Sequence, residues 1–307
     1  MDIENKPLIY RHLVKLVNSV IYVFTRRALY IKAWVDIRRG KPVPNNWGDD
    51  INIYLLELIS NRKVAVCNCS FLTKFITSPN YICIGSVLGW YENKRSEIWG
   101  SGFISADSKL RVAPAKIHSV RGKLTRQKLL EQGIDCPESY GDPALLMSRY
   151  YTPDVQKRYR IGIVPHFVDY ENEIVNAFID RNPDCIKIQL KGYERWEKVV
   201  DQICSCDLIL SSSLHGLIVA DSYGIPNLWI HLSDKVYGNG FKFLDYFSSV
   251  DRDDKSPNVI TSYNDIESIK GKADTIKYSA KIDFDSILSS CPFINQDVRA
   301  CSRSSDR

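Results

Sequence analysis

Between Asp207 and His231 the chain reads Asp-Leu-Ile-Leu-Ser-Ser-Ser-Leu-His-Gly-Leu-Ile-Val-Ala-Asp-Ser-Tyr-Gly-Ile-Pro-Asn-Leu-Trp-Ile-His, and no other run narrows the fold as far. Leu208 to Leu210 is a short apolar run suited to a strand buried on both faces. Ser211, Ser212 and Ser213 follow with hydroxyls fit to cap a helix. Leu214, Leu217 and Ile218 then fall at helical spacing. Gly224 supplies a stop, Pro226 bars continuation, and Leu228 to Ile230 is the next buried strand. Strand, helix and strand make a βαβ unit, which belongs to a parallel sheet that binds ligands beyond the carboxyl ends of its strands. The serine turn and His215 stand at that edge. Unpaired N–H groups at a helix start favour an anion, and His215 adds a group that titrates near neutral pH. An ordinary cap followed by a packed histidine is the other reading of the same residues.

With 307 residues the chain has room for two domains of ordinary size. Hydrophobic residues make up 44% and charged residues 25%, as in a globular protein with an aqueous surface. The net charge of +5 suits acidic small molecules or an anionic membrane face and is too weak and dispersed to argue for nucleic acid. The nine cysteines are odd in number and scattered, which reads as reduced thiols and a cytoplasmic location. Cys67-x-Cys69 and Cys204-x-Cys206 lack the gap of zinc sites, so no metal is expected.

Residues 7–35 are basic and apolar together. Leu13, Leu16, Val17, Val20, Ile21 and Phe24 share one helical face, flanked by Arg11, Lys15, Arg26 and Arg27. Two readings stand level: a helix lying peripherally on the inner face of the cell membrane, and a helix packed on its own domain. The uncharged run Leu16 to Thr25 is too short to span a bilayer, and no signal-peptide cleavage site follows. Leu29 to Val35 is expected to be the first strand. Asn45-Asn-Trp-Gly-Asp-Asp-Ile-Asn52 opens a helix to about Ser60, with Asp49 or Asp50 as its cap. Lys63 to Cys67, Tyr81 to Ile84, Glu97 to Ile104 and Ile117 onward read as strands. A helix over Leu124 to Gln132 stops at Gly133. Arg121 and Lys123, at a strand end, suit a carboxylate or phosphate.

Residues 148–158 carry no buried pattern and suggest a linker. A second α/β series follows. Its strands are Tyr159 to Val164, Cys185 to Leu190, Leu208 to Leu210 and Leu228 to Ile230. Pro165 to Asp169 is the turn at a strand end, and Tyr237 to Phe247 is a glycine turn into a helix that carries Lys242. The expected organisation is a basic amphipathic segment 1–28, an acceptor-side domain 29–150, a donor-side domain 151–290 and a disordered tail 291–307.

Four runs occur in order: Asn46-Trp-Gly-Asp-Asp-Ile-Asn52, Val120-Arg-Gly-Lys-Leu-Thr125, Gly141-Asp-Pro-Ala-Leu-Leu146 and Ser211 to Pro226. Together, over roughly residues 30 to 250, they resemble the polysaccharide pyruvyl transferases. The resemblance implies an α/β fold of two Rossmann-like domains facing a cleft, similar to the GT-B glycosyltransferases. It implies transfer from phosphoenolpyruvate, as co-substrate and without a cofactor, to a sugar of an exopolysaccharide, capsule or O-antigen precursor, giving a pyruvate ketal. The acceptor is expected to be lipid-linked.

On that reading His215 is the general acid at the enol and Asp49 takes the sugar hydroxyl's proton. Donor contacts fall to Arg121, Lys123, Ser211, Ser212, Ser213, Leu214, Gly216 and Lys242. Acceptor contacts fall to Asn46, Trp47, Gly48 and Asp50. Many relatives carry Arg where this chain has Ser213, and Lys242 is the candidate for the missing charge. The alternatives are a glycosyltransferase using nucleotide sugars on the same layout and a saccharide-binding protein without chemistry.

Overall fold

The computed structural model describes residues 6–25, 27–71 and 78–294. Helix α1 (Leu8–Phe24) leads to β1 (Leu29–Ile31), an antiparallel ribbon of β2 (Ile37–Arg38) and β3 (Lys41–Pro42), helix α2 (Trp47–Ser60) and β4 (Val64–Val66). Strands β5 (Asn80–Ile82), β6 (Ser96–Trp99) and β7 (Lys116–Ser119) follow, then α3 (Lys123–Glu131) and the short α4 (Met147–Tyr150). Of the expected linker 148–158, residues 148–150 belong to α4 and residues 151–158 have no regular structure. Beyond them run β8 (Tyr159–Val164), α5 (Glu173–Arg181), β9 (Cys185–Lys187), α6 (Trp196–Cys204), β10 (Cys206–Ser211), α7 (Leu214–Ser222) and β11 (Asn227–His231). The described chain finishes with α8 (Phe241–Phe247), β12 (Asn258–Val259), α9 (Tyr263–Gly271) and α10 (Phe284–Ser289).

The long strands form two sheets, ordered β4-β1-β5-β6-β7 and β12-β11-β10-β8-β9. Every pairing in both is parallel. Counted in chain order within each sheet, both orders read 2-1-3-4-5, the doubly wound order whose switch point lies between the first and third strands. Those switch points are β1/β5 and β8/β10. The strands are continuous apolar runs, as at Val64–Val66 and Ile161–Val164, because both faces of a parallel sheet are covered.

The βαβ unit read from Asp207 onward is β10–α7–β11. Eight of the nine residues of α7 are buried, so it is apolar almost all round rather than along one stripe. It ends as a Schellman cap: Gly224 at φ +65° donates to the Asp221 carbonyl and Ile225 to that of Ala220. One apolar core runs through both halves and includes Leu29, Ile51 and Trp99 with Val164, Leu217 and Phe247. Helix α10 returns to the first sheet, where the Trp99 indole donates to the Ile287 carbonyl at 3.1 Å.

Several expectations shift. Strand β1 stops at Ile31, short of Val35. Helix α2 starts at Trp47 with Asn46 as its cap, so Asp49 and Asp50 lie in its first turn. The serines do not cap α7. Ser213 holds the N-cap position without a side-chain bond, and Ser211 Oγ donates to the backbone at Val164 and Ser213. Disorder is expected from 291 to 307, but Cys291 is buried and Phe293 stacks edge-on against Trp99 and Tyr81. The remainder of that segment, 295–307, lies outside the described residues.

Candidate functional site

The carboxyl ends of the two sheets open on one cavity of about 290 Å³. Loops after β1, β5 and β6 contribute Trp34, Ser86 and Ile104, and those after β8, β10 and β11 contribute His166, Ser213 and Tyr237. Asn46 and Asp49 from the start of α2, Leu214 and His215 from the start of α7, and Lys242 from α8 complete the chemistry-bearing wall. The starts of α2 and α7 therefore border the same space.

Backbone bonds clamp the start of α2 across the two halves. Trp47 N donates to the Leu190 carbonyl at 2.8 Å and Gly192 N to that of Asn45 at 2.7 Å. The Trp47 indole donates to the Trp196 carbonyl at 2.9 Å. This fixes Gly48 against the imidazole of His215: a Cβ on Gly48 would stand 2.1 Å from Nδ1. The glycine is there because the ring occupies the space of a side chain.

The electrostatics follow from burial. Asp49 accepts from Asn46 Nδ2 at 2.5 Å, yet desolvation outweighs that bond and the attraction of Lys242 and lifts its carboxyl to about 7. His215 goes the other way. Desolvation first, then the charges of Lys242 and Arg121, lower it to about 3. Its Nε2 is buried with no hydrogen-bond partner among the described residues. His166 is lowered to about 3 by burial and Lys242. Lys242 falls to about 8 through burial and Arg121, against the pull of Asp49. The cavity thus holds two neutral imidazoles, a carboxyl that titrates near neutrality and a buried ammonium that an anion would hold protonated.

Of the residues singled out in the sequence, Asn46, Asp49, Ser213, Leu214, His215 and Lys242 line the cavity together. Others do not. Arg121 is fully buried, donating to Asp245 Oδ2 at 2.9 Å, Ser86 Oγ at 2.5 Å and the Phe103 carbonyl at 2.6 Å. It stands one hydrogen bond behind the wall, through Ser86, because Asp245 supplies a buried counter-ion. Lys123 faces solvent and pairs with Asp251 at 3.7 Å. Trp47 and Asp50 are core residues, and Asp50 Oδ2 accepts from Asn45 N and the Tyr193 hydroxyl. Ser211 ties two strand ends together, and Ser212 Oγ accepts from His166 N at 2.8 Å. Gly216 packs on Ser211 and Val164, and Gly48 acts through the contact with His215.

Residues passed over in the sequence are His166, Ser86 and an aromatic rim. Trp34 and Trp90 are each 39% exposed and meet edge-on at 5.1 Å, with Phe167 and Tyr237 on the other bank. His166 carried one signal, its place just after Pro165 at the end of a strand. Trp34 carried none, since it fell inside an expected strand.

Among the described residues no group of three His, Cys, Asp or Glu is placed to hold a metal ion. No helix among them is long and apolar enough to cross a membrane.

No solved structure matches the chain. An uncharacterized protein of Acanthamoeba polyphaga mimivirus is 31% identical over 216 residues, 68% of this chain and 72% of its own length. The succinoglycan biosynthesis protein ExoV of Rhizobium meliloti is 27% identical over 206 residues, 66% of this chain and 60% of its own length. The family profile described as polysaccharide pyruvyl transferase matches residues 40–233, which take in both helix starts and the β10–α7–β11 unit. The chain belongs to the polysaccharide pyruvyl transferase family.

Proposed function

We propose that the cavity binds phosphoenolpyruvate and transfers its three-carbon unit to two hydroxyls of a saccharide, forming a ketal and releasing phosphate. What supports this reading, beyond family membership, is that one buried cation, two helix starts and a carboxyl raised to about 7 share the cavity with a neutral imidazole. Lys242 and the N–H groups at the start of α7 suit the donor's negative charges. Trp34 and Trp90 offer half-exposed faces on which a sugar ring can stack.

The charge states favour a division of labour opposite to that expected from sequence. Paired groups whose environments push them apart mark the acid and the base. Asp49 is the acid and gives its proton to the methylene carbon. The first sugar hydroxyl bonds to the adjacent carbon, and its proton passes to His215. The bond to phosphate then breaks, phosphate leaving with the electron pair and the proton from His215. The second hydroxyl bonds to the same carbon and returns a proton to Asp49. The sum is one phosphoenolpyruvate and one diol giving one ketal and one inorganic phosphate.

Incubation with phosphoenolpyruvate and candidate oligosaccharides tests this. The expected result is one phosphate released per acceptor modified, with a new methyl singlet in the proton spectrum of the product. Phosphate release with a vinyl product in place of the methyl would contradict the ketal.

A further inference from the structure

Helix α1 sits on the protein inside out. An amphipathic helix ordinarily turns its apolar stripe to the core. Here the polar side is the one that docks. Asn18 Nδ2 donates to the carbonyls of Ile37 and Cys69, each at 3.0 Å, and Asn18 Oδ1 accepts from Gly40 N. Ser19 Oγ accepts from Phe71 N at 2.8 Å, and the Tyr22 hydroxyl accepts from Val66 N at 3.3 Å. Asn18, Ser19 and Tyr22 are the buried residues of the helix.

The opposite side carries Leu13, Leu16, Val17, Val20, Val23 and Phe24, between 43% and 80% exposed. At 3.6 residues per turn these six fall within an arc of about 120°. A contiguous apolar stripe of this kind marks an interaction surface. The charge pattern names the partner. Lys6, Arg11, Lys15 and Arg27 lie on the helix and its flanks, and no acidic residue occurs in the sequence between Glu4 and Asp36. A second copy mated on this face would set basic flank against basic flank, whereas an anionic leaflet takes both the stripe and the charges.

We propose that α1 lies in the interface of a bilayer bearing anionic lipid, apolar face down, and that its hydrogen-bonded polar face holds the enzyme body onto the membrane.

Vesicle flotation of the full chain tests this, using phosphatidylcholine alone and phosphatidylcholine mixed with phosphatidylglycerol. The double substitution Leu13→Glu/Val20→Glu alters only outward positions, so its circular dichroism and Tm are expected to match the wild type. The wild type is expected to float with the anionic vesicles, less with phosphatidylcholine, and less as salt rises. The double variant is expected to partition roughly tenfold more weakly. Three outcomes overturn the proposal: no flotation of the wild type with either vesicle, equal flotation of the variant, or a concentration-dependent dimer that the variant abolishes while vesicles bind neither protein.

Discussion

Asp49 and His215 begin as a carboxylate and an imidazole with ordinary properties, and burial moves their proton affinities in opposite directions. Asp49, lifted to about 7 by burial, keeps its proton at mildly acid pH and loses it as pH rises through that value. His215, lowered to about 3, stays neutral throughout. The kcat/KM profile is therefore expected to fall above about pH 7, with no rising limb from His215 between pH 5 and 7. Asp49→Asn is expected to lose about a hundredfold or more in kcat and to lose that falling limb. The same shift bears on stability. A carboxyl raised by folding favours the folded state fully below its unfolded value near 4, and that benefit disappears as pH rises to about 7. Above that pH the wild type carries a desolvated charge that Asp49→Asn lacks. The variant is therefore expected to be more stable at pH 8 by roughly 2 kcal/mol and closer to wild type at pH 4. Denaturant titrations at the two pH values read the difference. Arg121 is a residue-scale case of another kind. Its salt bridge to Asp245 is fully buried. Arg121→Ala is expected to cost about 3–5 kcal/mol by leaving Asp245 uncompensated, and the same denaturant titrations measure it.

At the scale of elements, the site depends on two helix starts pressed together. Gly48 in α2 and His215 in α7 touch because neither has room to spare. Gly48→Ala is expected to lower kcat/KM about a hundredfold while Tm moves by only a few degrees, because the added methyl displaces the imidazole without opening the core. Enzyme assay beside differential scanning fluorimetry checks both halves of that statement. Much of this was legible in advance. The run from Asp207 to His231 announced strand, helix and strand, with its histidine at the carboxyl edge of the sheet, because period and punctuation are local signals. Asn46, Asp49 and Lys242, singled out for ligand contacts, line the cavity, whereas Arg121 stands behind its wall because Asp245, far along the chain, holds it there. Trp47 was expected to contact the acceptor, and its indole bond to the carbonyl of Trp196, distant in the chain, holds it in the core instead. The serine triplet misled for a simpler reason: hydroxyls that can cap a helix can equally tie strand ends together, and Ser211 and Ser212 do the second.

For the whole molecule, two sheets with the same 2-1-3-4-5 order set their switch points toward one cavity. No local pattern carries strand order, so the sequence told only that strands and helices alternate twice. The core is shared between the halves, and α10 returns from the end of the described chain to pack on Trp99. Calorimetry is accordingly expected to show one cooperative transition, and residues 29–150 expressed alone are expected not to fold. Two resolved transitions would mean that the shared core contributes little. That the cavity takes phosphoenolpyruvate is checked by a calorimetric titration with this ligand, set beside one with nucleotide sugars. One molecule of phosphoenolpyruvate per chain is expected to bind, at least about tenfold more weakly in Lys242→Ala through loss of its charge-assisted contacts, with no binding of nucleotide sugars. Binding of a nucleotide sugar and none of phosphoenolpyruvate would contradict it.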